Sequence, residues 1–591
     1  MFRRPSSLVY FGGLLGVTIL AMNAGSLAQT GTAPAKAAEK QALHRGQEAL
    51  KNGDIAGARA EFEKAARLSP NDAEAQSALG WVLAQQGEPD RALTHLRVAI
   101  KVMPGLVEPR LTLAGVLSQQ GKSAEAEQES RAAVKIAPRN PEAHRMLARI
   151  LSQRSGDEAL SEMRGAVELA PERADLQDEL GTILAQRNQF ADAEVSFEEA
   201  LRLQPNLEQA HFHLGAVHLQ GKQLEEAAKE LNQAVELAPQ DAAAHYYLAK
   251  TLTAQSKNAD ALEELRKTAT LKPEWFEVQI ELGLACQHAA DSDGAVAAFG
   301  EAVKLRPQDA EAYNDLGLAL LQKGDAVGSI PQFETAAQLR PDDAAFRGNL
   351  AIGYMQRADF DRAITELETA IKLAPKDASL HYNLGLAYKL KDQLDKAVSE
   401  FQNAIAFEPD LADAHYTLGV LFWQRGEFDK ATAELQTAIR NQPNYAEAYY
   451  TLGTILKQQE KLPEAATALR EAIRLQPDFA GAHTTLAAVL RQLGDAQGAS
   501  EEAQRGAKIT ASTNRLQAAT FSTNSGKRLL GAGDVDGAIS QFRSAISSDP
   551  NYAAAHYQLA TALDRQGHKD EAKHEFQKAA ELDPHLTAPK R

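Results

Sequence analysis

The sequence predicts an all-α chain built as a linear stack of about sixteen antiparallel helix hairpins. Three observations predict it. Prolines recur at a fixed step: Pro70, Pro104, Pro138, Pro171, Pro205, Pro239, Pro273, Pro307, Pro341, Pro375, Pro409, Pro443 and Pro477, then Pro550 and Pro584. The step is 34 residues, once 33, and fifteen of the 23 prolines lie on this grid. With each unit numbered so that its proline is position 32, and the first helix of the 33-residue unit numbered 34 after the one before it, position 8 is Gly or Ala in all sixteen units, position 20 is Ala except at Ser329, and position 27 is Ala except at Thr268 and Gly506. Finally, positions 4, 7, 8 and 11 share one face of a first helix and positions 20, 24 and 27 one face of a second, the 3.6-residue period of amphipathic helices.

The N-terminus comes first in the order of elements. A basic start at Arg3 and Arg4, an apolar run from Leu8 to Ala21 and the small-x-small step Ser26-Leu27-Ala28 read as an export signal over residues 1–28, cut before Gln29. The alternative is an uncleaved N-terminal anchor, because apolar character persists almost to the length of a thin spanning helix. Either reading exports the remainder, to a periplasm or the cell exterior. Residues 29–38 read as a linker, and 39–511 as an array of about fourteen repeats. In the unit ending near Ala511 the packing positions fall to Ala503 and Gly506, and five extra residues follow. Residues 512–518 therefore read as a hinge or insert, ahead of a two-repeat array at 519–584 and a tail at 585–591.

Within a unit each recurring residue has a physical task. Small side chains at 8 and 20 let two helix axes approach, while Leu at 7 and a larger residue at 24, such as Phe62, Phe197, Phe299 or Phe401, fill the space beside them. A Gly near position 15 followed by a polar residue, as in Gly53-Asp54, Gly324-Asp325, Gly426-Glu427 and Gly494-Asp495, closes one helix in the left-handed conformation and caps the next. Proline at 32 ends the second helix, and Pro331, inside a second helix, is expected to kink or delay it. Such a hairpin cannot bury its apolar face alone and is stable only against neighbours.

The pattern resembles the tetratricopeptide repeat (TPR) family, with segments such as AHYTLGVLFWQRGEFDKATAELQTAIRNQP at 414–443 matching its aromatic, Leu, Gly, Ala, Ala and Pro positions. The resemblance covers nearly all of residues 39 to 584. It implies an α-solenoid, a right-handed superhelix whose first helices line a concave groove, and a function in binding proteins or peptides.

The stripe at positions 2, 5, 9 and 12 of the first helices is the candidate partner-binding groove. Its apolar members are Phe212, Tyr246, Tyr382, Tyr416 and Tyr450 at position 5, Leu284, Leu318, Ile352, Leu386 and Val420 at position 9, and Met355 and Trp423 at position 12. Tyr and Trp suit binding hot spots, each a rigid face with a polar handle. The alternative for the position-5 rings is that they brace the next repeat. Charged-tail clamps are poorly represented, with only Lys250 and Lys389 and the asparagines Asn349 and Asn383, so an apolar or extended partner segment fits better than an acidic tail. Toward the N-terminus, Glu74, Glu108, Glu142 and Asp175 with Arg145 and Arg149 read as a solvated face.

Chemistry is the remaining question. The formal net charge of −16 over 591 residues, without a basic block, argues against nucleic acid. A single cysteine, Cys286 at a packing position, supports neither a disulfide framework nor a multi-Cys zinc site. Seven histidines, His144, His211, His245, His381, His415, His483 and His556, occupy position 4 and read as inter-helix packing residues; no metal or other cofactor is expected. The glycines are periodic rather than gathered in a phosphate loop, and the repeats run to the end of the chain. The sequence thus points to a non-catalytic scaffold in the cell envelope, with membrane contact only through the N-terminal segment. The other reading is a regulatory or substrate-presenting subunit of an envelope enzyme such as a glycosyltransferase. The last hairpin is either capped by its own polar face or met by a partner or second copy.

Overall fold

The computed structural model describes residues 33–152 and 154–586. The expected signal at 1–28 and most of the tail at 585–591 lie outside the described residues. Among them the chain is helical throughout its ordered elements, 31 helices joined by short turns. None of these helices is long and apolar enough to cross a membrane.

The chain divides into two compact units, one up to residue 312 and one from 313 onward. In the first, hairpins follow one another from Ala33–Lys51 with Ile55–Leu68 to Phe276–His288 with Ser292–Leu305. The first helix starts at Ala33, so the second half of the expected linker is helical. In the second unit the same succession runs through Ala344–Gln356 with Phe360–Leu373, Ala378–Leu390 with Leu394–Phe407, and onward to Ala553–Gln566 with Lys569–Leu582. Within each unit, helices pack on their neighbours in sequence, and first helices of successive hairpins also touch, as Glu108–Gln119 touches Ala73–Gln85 and Ala378–Leu390 touches Ala344–Gln356. Successive second helices make no comparable contact. The first helices therefore lie on the inner side of each stack.

The small-residue grid is the core. At positions 20 and 27 the alanines from Ala58 and Ala65 to Ala572 and Ala579 are 0–2% exposed, as are Ser329 and Thr268. Position 8 packs against position 24, and where 24 is a fully buried phenylalanine position 8 is glycine. Gly46, Gly181, Gly283, Gly317, Gly385 and Gly526 each lie under the ring of a buried phenylalanine at 24, and a Cβ on Gly385 would stand 2.7 Å from Phe401 Cε1. Where position 8 is alanine, as at Ala249 and Ala351, position 24 is the slimmer Leu265 or Leu367.

The turn between paired helices is left-handed at position 15 in both units. Eight glycines, from Gly53 at φ +75° to Gly567 at φ +93°, supply it, and seven other residues adopt it at a steric cost: Asn188, Lys222, Ser256, Ala290, Ala358, Asp392 and Glu460. After Gly53 the carboxylate of Asp54 accepts the Gly57 amide at 2.7 Å, the cap expected from the Gly-polar pair. The 33-residue unit has the shortest first helix, Pro141–Leu151. Pro331 does not delay its helix, which starts at Ala326 on an Asp325 cap.

Residues 512–518, expected as a hinge or insert, lie inside one helix, Ala496–Gly531, 36 residues long. Its N-terminal part packs on Ala480–Gln492 and its C-terminal part on Val535–Ser548, so one helix serves two hairpins. Positions 21 and 28 differ here from those of several interior hairpins, where both are apolar and packed against the core, as Ile364 with Ile371 and Val398 with Ile405 are. Here they are Ser500 and Ala507, both exposed, and no following hairpin seats on them. The degenerate unit thus leaves a small-residue outer face exposed, as the end units of solenoids do. The hairpin ending at Leu582 carries Lys573, exposed, and Ala580 at the same positions, in keeping with a cap formed by its own polar face.

Candidate partner-binding groove

Position 4 shows how each hairpin is tied to the one before it. A donor there reaches the carbonyl of the preceding position-32 proline: His415 Nε2 lies 3.0 Å from Pro409 O, His381 Nε2 3.1 Å from Pro375 O, and Gln279 donates to Pro273 O at 3.0 Å. The other ring nitrogen faces a glutamate of the second helix, as in His415 Nδ1 to Glu434 Oε2 at 2.6 Å. All seven position-4 histidines make both contacts. Arg347 does the same with Pro341 O and Glu366. These histidines are inter-helix residues, as expected, but they act as donors and not as apolar fillers. Each ring nitrogen thus faces an acceptor, a backbone carbonyl on one side and a carboxylate on the other. The glutamate nineteen residues after each histidine, eighteen after His144, was the sequence signal for this role.

The histidines that look clustered in sequence are separate. His211 pairs with Glu230, His213 Nδ1 with Asp178 Oδ1 at 2.8 Å, and His218 Nδ1 with Gln223 at 2.8 Å. Among the described residues no group of His, Cys, Asp or Glu could hold a metal ion. Cys286 is buried, which pushes its thiol pKa up.

In the first unit the structure revises the groove. Phe212 and Tyr246 are 5% and 8% exposed. Phe212 meets Tyr247 edge-on at 5.2 Å, and Tyr246 stacks on Trp275 at 4.7 Å while its hydroxyl donates to Glu281 at 2.6 Å. Burial, then this hydrogen bond, drives the Tyr246 phenol far above the ordinary tyrosine range. Both rings are core, because an aromatic of the next repeat covers them, Tyr247 within its first helix and Trp275 just before it. Leu284, at 42% exposed, does face solvent. The polar end is not a simple solvated face either. Arg145, with its side chain only 14% exposed, is held by Asp175 at 3.0 Å and by Glu179. Burial works to raise the Asp175 carboxyl, but Arg173 and Arg145 more than offset it and hold it low.

In the second unit the stripe forms a half-buried surface. Leu318, Ile352, Leu386 and Val420 at position 9, with Met355 and Trp423 at position 12, sit over the core and stay partly open to solvent. Trp423 is oriented by its indole N–H, which donates to Gln458 at 2.8 Å. The position-5 rings are braces as well as surface: Tyr416 stacks on Tyr445 at 4.9 Å and Tyr450 on Phe479 at 4.7 Å, each partner lying just before the next first helix, and Tyr382 meets Phe401 at 5.6 Å. Asn349 donates to Asn314 at 2.7 Å.

Paired helices in linear succession with an open inner stripe define a repeat protein of the interaction-scaffold class. More particularly, the chain belongs to the tetratricopeptide repeat family. Profiles described as tetratricopeptide repeat match residues 43–104, 179–242, 225–274 and 281–344, and, for a second profile, 83–150, 390–454 and 529–588. A TPR repeat profile matches 353–392 and 453–494. A search of curated proteins finds no match. Among solved structures the chain is similar to a chain of the Cut9–Hcn1 APC/C hetero-tetramer, at 16% identity over 89% of this chain and 96% of that chain, TM-score 0.34. It is also similar to MamA of Desulfovibrio magneticus RS-1, at 22% identity over 29% of this chain and 96% of that one, TM-score 0.27. A third similarity is to Pseudomonas aeruginosa pilF, at 20% identity over 35% and 94%, TM-score 0.33.

Proposed function

We propose that this protein is a non-catalytic scaffold of the cell envelope, exported through its N-terminal segment, that holds apolar or extended segments of partner proteins along the inner stripe of residues 310–492. The observation that carries the reading is the row Leu318, Ile352, Leu386 and Val420, flanked by Met355 and Trp423, which remains half-open where an ordinary core would be closed. Apolar area on this scale gains free energy from being covered, at about 25 cal/mol per Å². The helices that carry it are held by residues on their other faces, so the surface is preorganised.

The test is a photo-crosslinking residue at Val420 in living cells, with Leu386→Asp as the control. Crosslinks to envelope proteins that vanish in the Leu386→Asp background, with helicity and melting retained, support the scaffold reading. A purified chain that turns over a substrate unaided, or an absence of protein crosslinks, defeats it. A fusion of residues 1–28 to a reporter enzyme active only outside the cytoplasm tests export; a silent reporter defeats that part.

A further inference from the structure

The inner stripe of the second unit changes character along its length, and the change lies at position 12. Leu321 and Met355 occupy it first; then come Lys389, Trp423, Lys457 and Arg491. These three cations have no ion-pair partner among the described residues, whereas Lys391 pairs with Asp361, Arg425 with Asp395 at 2.8 Å, and Arg474 with Glu471 at 2.7 Å; Arg357, Lys372 and Lys461 are unpaired too, so what sets the three apart is their shared place on the groove stripe. A helix C-terminus favours a cation anywhere in its last turn. That preference does not select position 12 over position 13, which is glutamine in most of these units (Gln356, Gln424, Gln458, Gln492). Position 12 is the place on the last turn that shares the groove stripe with positions 5 and 9. In a chain of net charge −16, a row of unpaired cations around an oriented tryptophan is a complementary surface in want of carboxylates. The opposite ends of the same helices carry Asp413, which accepts the Tyr445 hydroxyl at 2.9 Å, and Glu447. The stripe therefore carries cations at one edge and, in its two middle helices, carboxylates at the other.

Building on the scaffold reading, we propose that residues 378–492 bind an extended polypeptide segment in which an aromatic side chain, seated against Trp423 and Val420, is flanked by Asp or Glu residues directed at Lys389, Lys457 and Arg491. Successive hairpins stand about 10 Å apart and an extended chain advances about 3.3 Å per residue, so the carboxylates facing Lys457 and Arg491 are about three residues apart and those facing Lys389 and Lys457 about six. The aromatic falls midway between the latter two.

The test pans a random peptide display library on the full chain with Trp81→Phe and Trp275→Phe, leaving Trp423 as the sole tryptophan reporter. Selected peptides are expected to combine an aromatic with Asp or Glu at these spacings and to perturb Trp423 fluorescence. Replacing their acids with amides, or changing Lys389, Lys457 and Arg491 together to Glu, is expected to weaken binding about tenfold or more at low salt and less at high salt. The same three positions changed to Gln, a residue already frequent in these last turns, give an intermediate loss and guard against misfolding of the Glu variant. Neutral or basic peptides that bind the triple variant equally overturn the inference and leave the groove reading intact. No enrichment over a Val420→Asp variant overturns both. Quenching of Trp423 by phosphatidylglycerol vesicles, with no peptide selected, overturns it in favour of lipid.

Discussion

His211 and Glu230 are joined at 2.7 Å through Nδ1, and the opposite nitrogen of the same ring lies 2.9 Å from the carbonyl of Pro205 in the preceding repeat. One ring thereby fastens a first helix to its own second helix and to its neighbour. The glutamate hydrogen bond, opposed by burial and by Lys229, raises the His211 pKa, and the same bond lowers that of Glu230. Because the folded histidine pKa is raised, its stabilisation is complete below the unfolded value of about 6.5 and is lost as pH rises through the folded value. The folded carboxyl is lowered, so its share is present above the unfolded value of about 4.3 and lost as pH falls through the folded value. His245 with Glu264 and His415 show the same directions where shifts are resolved. The melting temperature is therefore expected to be highest between about pH 4.5 and 6.5 and to fall toward pH 9. His211→Gln keeps a donor for Pro205, as Gln279 does for Pro273, but loses the ion pair; it costs about 1 kcal/mol at pH 6 and nearly nothing at pH 9. Equal losses at both pH values would remove the ionic explanation.

The pairing of Gly385 with Phe401 gives a prediction about packing. A methyl at Gly385 meets the ring 2.7 Å from Cε1 and 2.8 Å from Cδ1, deep in a core with no room to shift. Gly385→Ala is expected to cost about 1–3 kcal/mol despite the higher helix propensity of alanine. Adding Phe401→Leu recreates the Ala351 and Leu367 arrangement already present one repeat earlier, so the double variant should be more stable than Gly385→Ala alone. Chemical denaturation of the three variants checks it, and simple additivity would show that position 8 is not answering to position 24.

Ala358 occupies the left-handed turn at φ +58°, a conformation that strains any residue with a Cβ. Its equivalents Gly324 and Gly426 adopt it freely. Ala358→Gly is expected to raise stability by about 0.5–1 kcal/mol, less than the strain relieved because glycine also loosens the unfolded chain. Ala290→Gly, at φ +56°, should behave alike, and a drop in melting temperature for both would contradict the strain argument.

What the sequence disclosed was whatever repeats with few exceptions. Proline at 32 and alanine at 20 and 27 are dictated by helix termination and axis approach, which leave few substitutes, and so the hairpins were legible. Less legible were features that one residue alone does not encode. The left-handed turn is enforced by its surroundings at Ala290, Ala358 and Glu460 as well as at glycines. The burial of Tyr246 depends on Trp275 twenty-nine residues later, and the stacking of Tyr416 on Tyr445 repeats that spacing. Position 5 alone left open whether these rings were groove surface or braces for the next repeat. Likewise, position-4 histidines look like fillers until the glutamate of the second helix is set beside them.

The long helix Ala496–Gly531 carries the last prediction. Residues 511–518 are exposed on every side, without tertiary packing to support about two turns of helix, and the stretch includes Ser512, Thr513 and Asn514, which are weak helix formers. Isolated helix of this length is marginal in water, so it persists because packed segments hold both its ends. Local opening should therefore cost far less here than in the flanking hairpins. Backbone amides of 511–518 are expected to exchange with solvent faster than those of Ser522–Gly531 in the same helix, and trypsin should cut first at Arg515. Thr513→Gly should speed that exchange further, yet leave the melting temperature of the hairpins within about 1 °C, because nothing packs on the residue. Protection at 511–518 equal to that of the packed C-terminal half would mean that something covers this stretch, and the hairpins on either side would then unfold as one body.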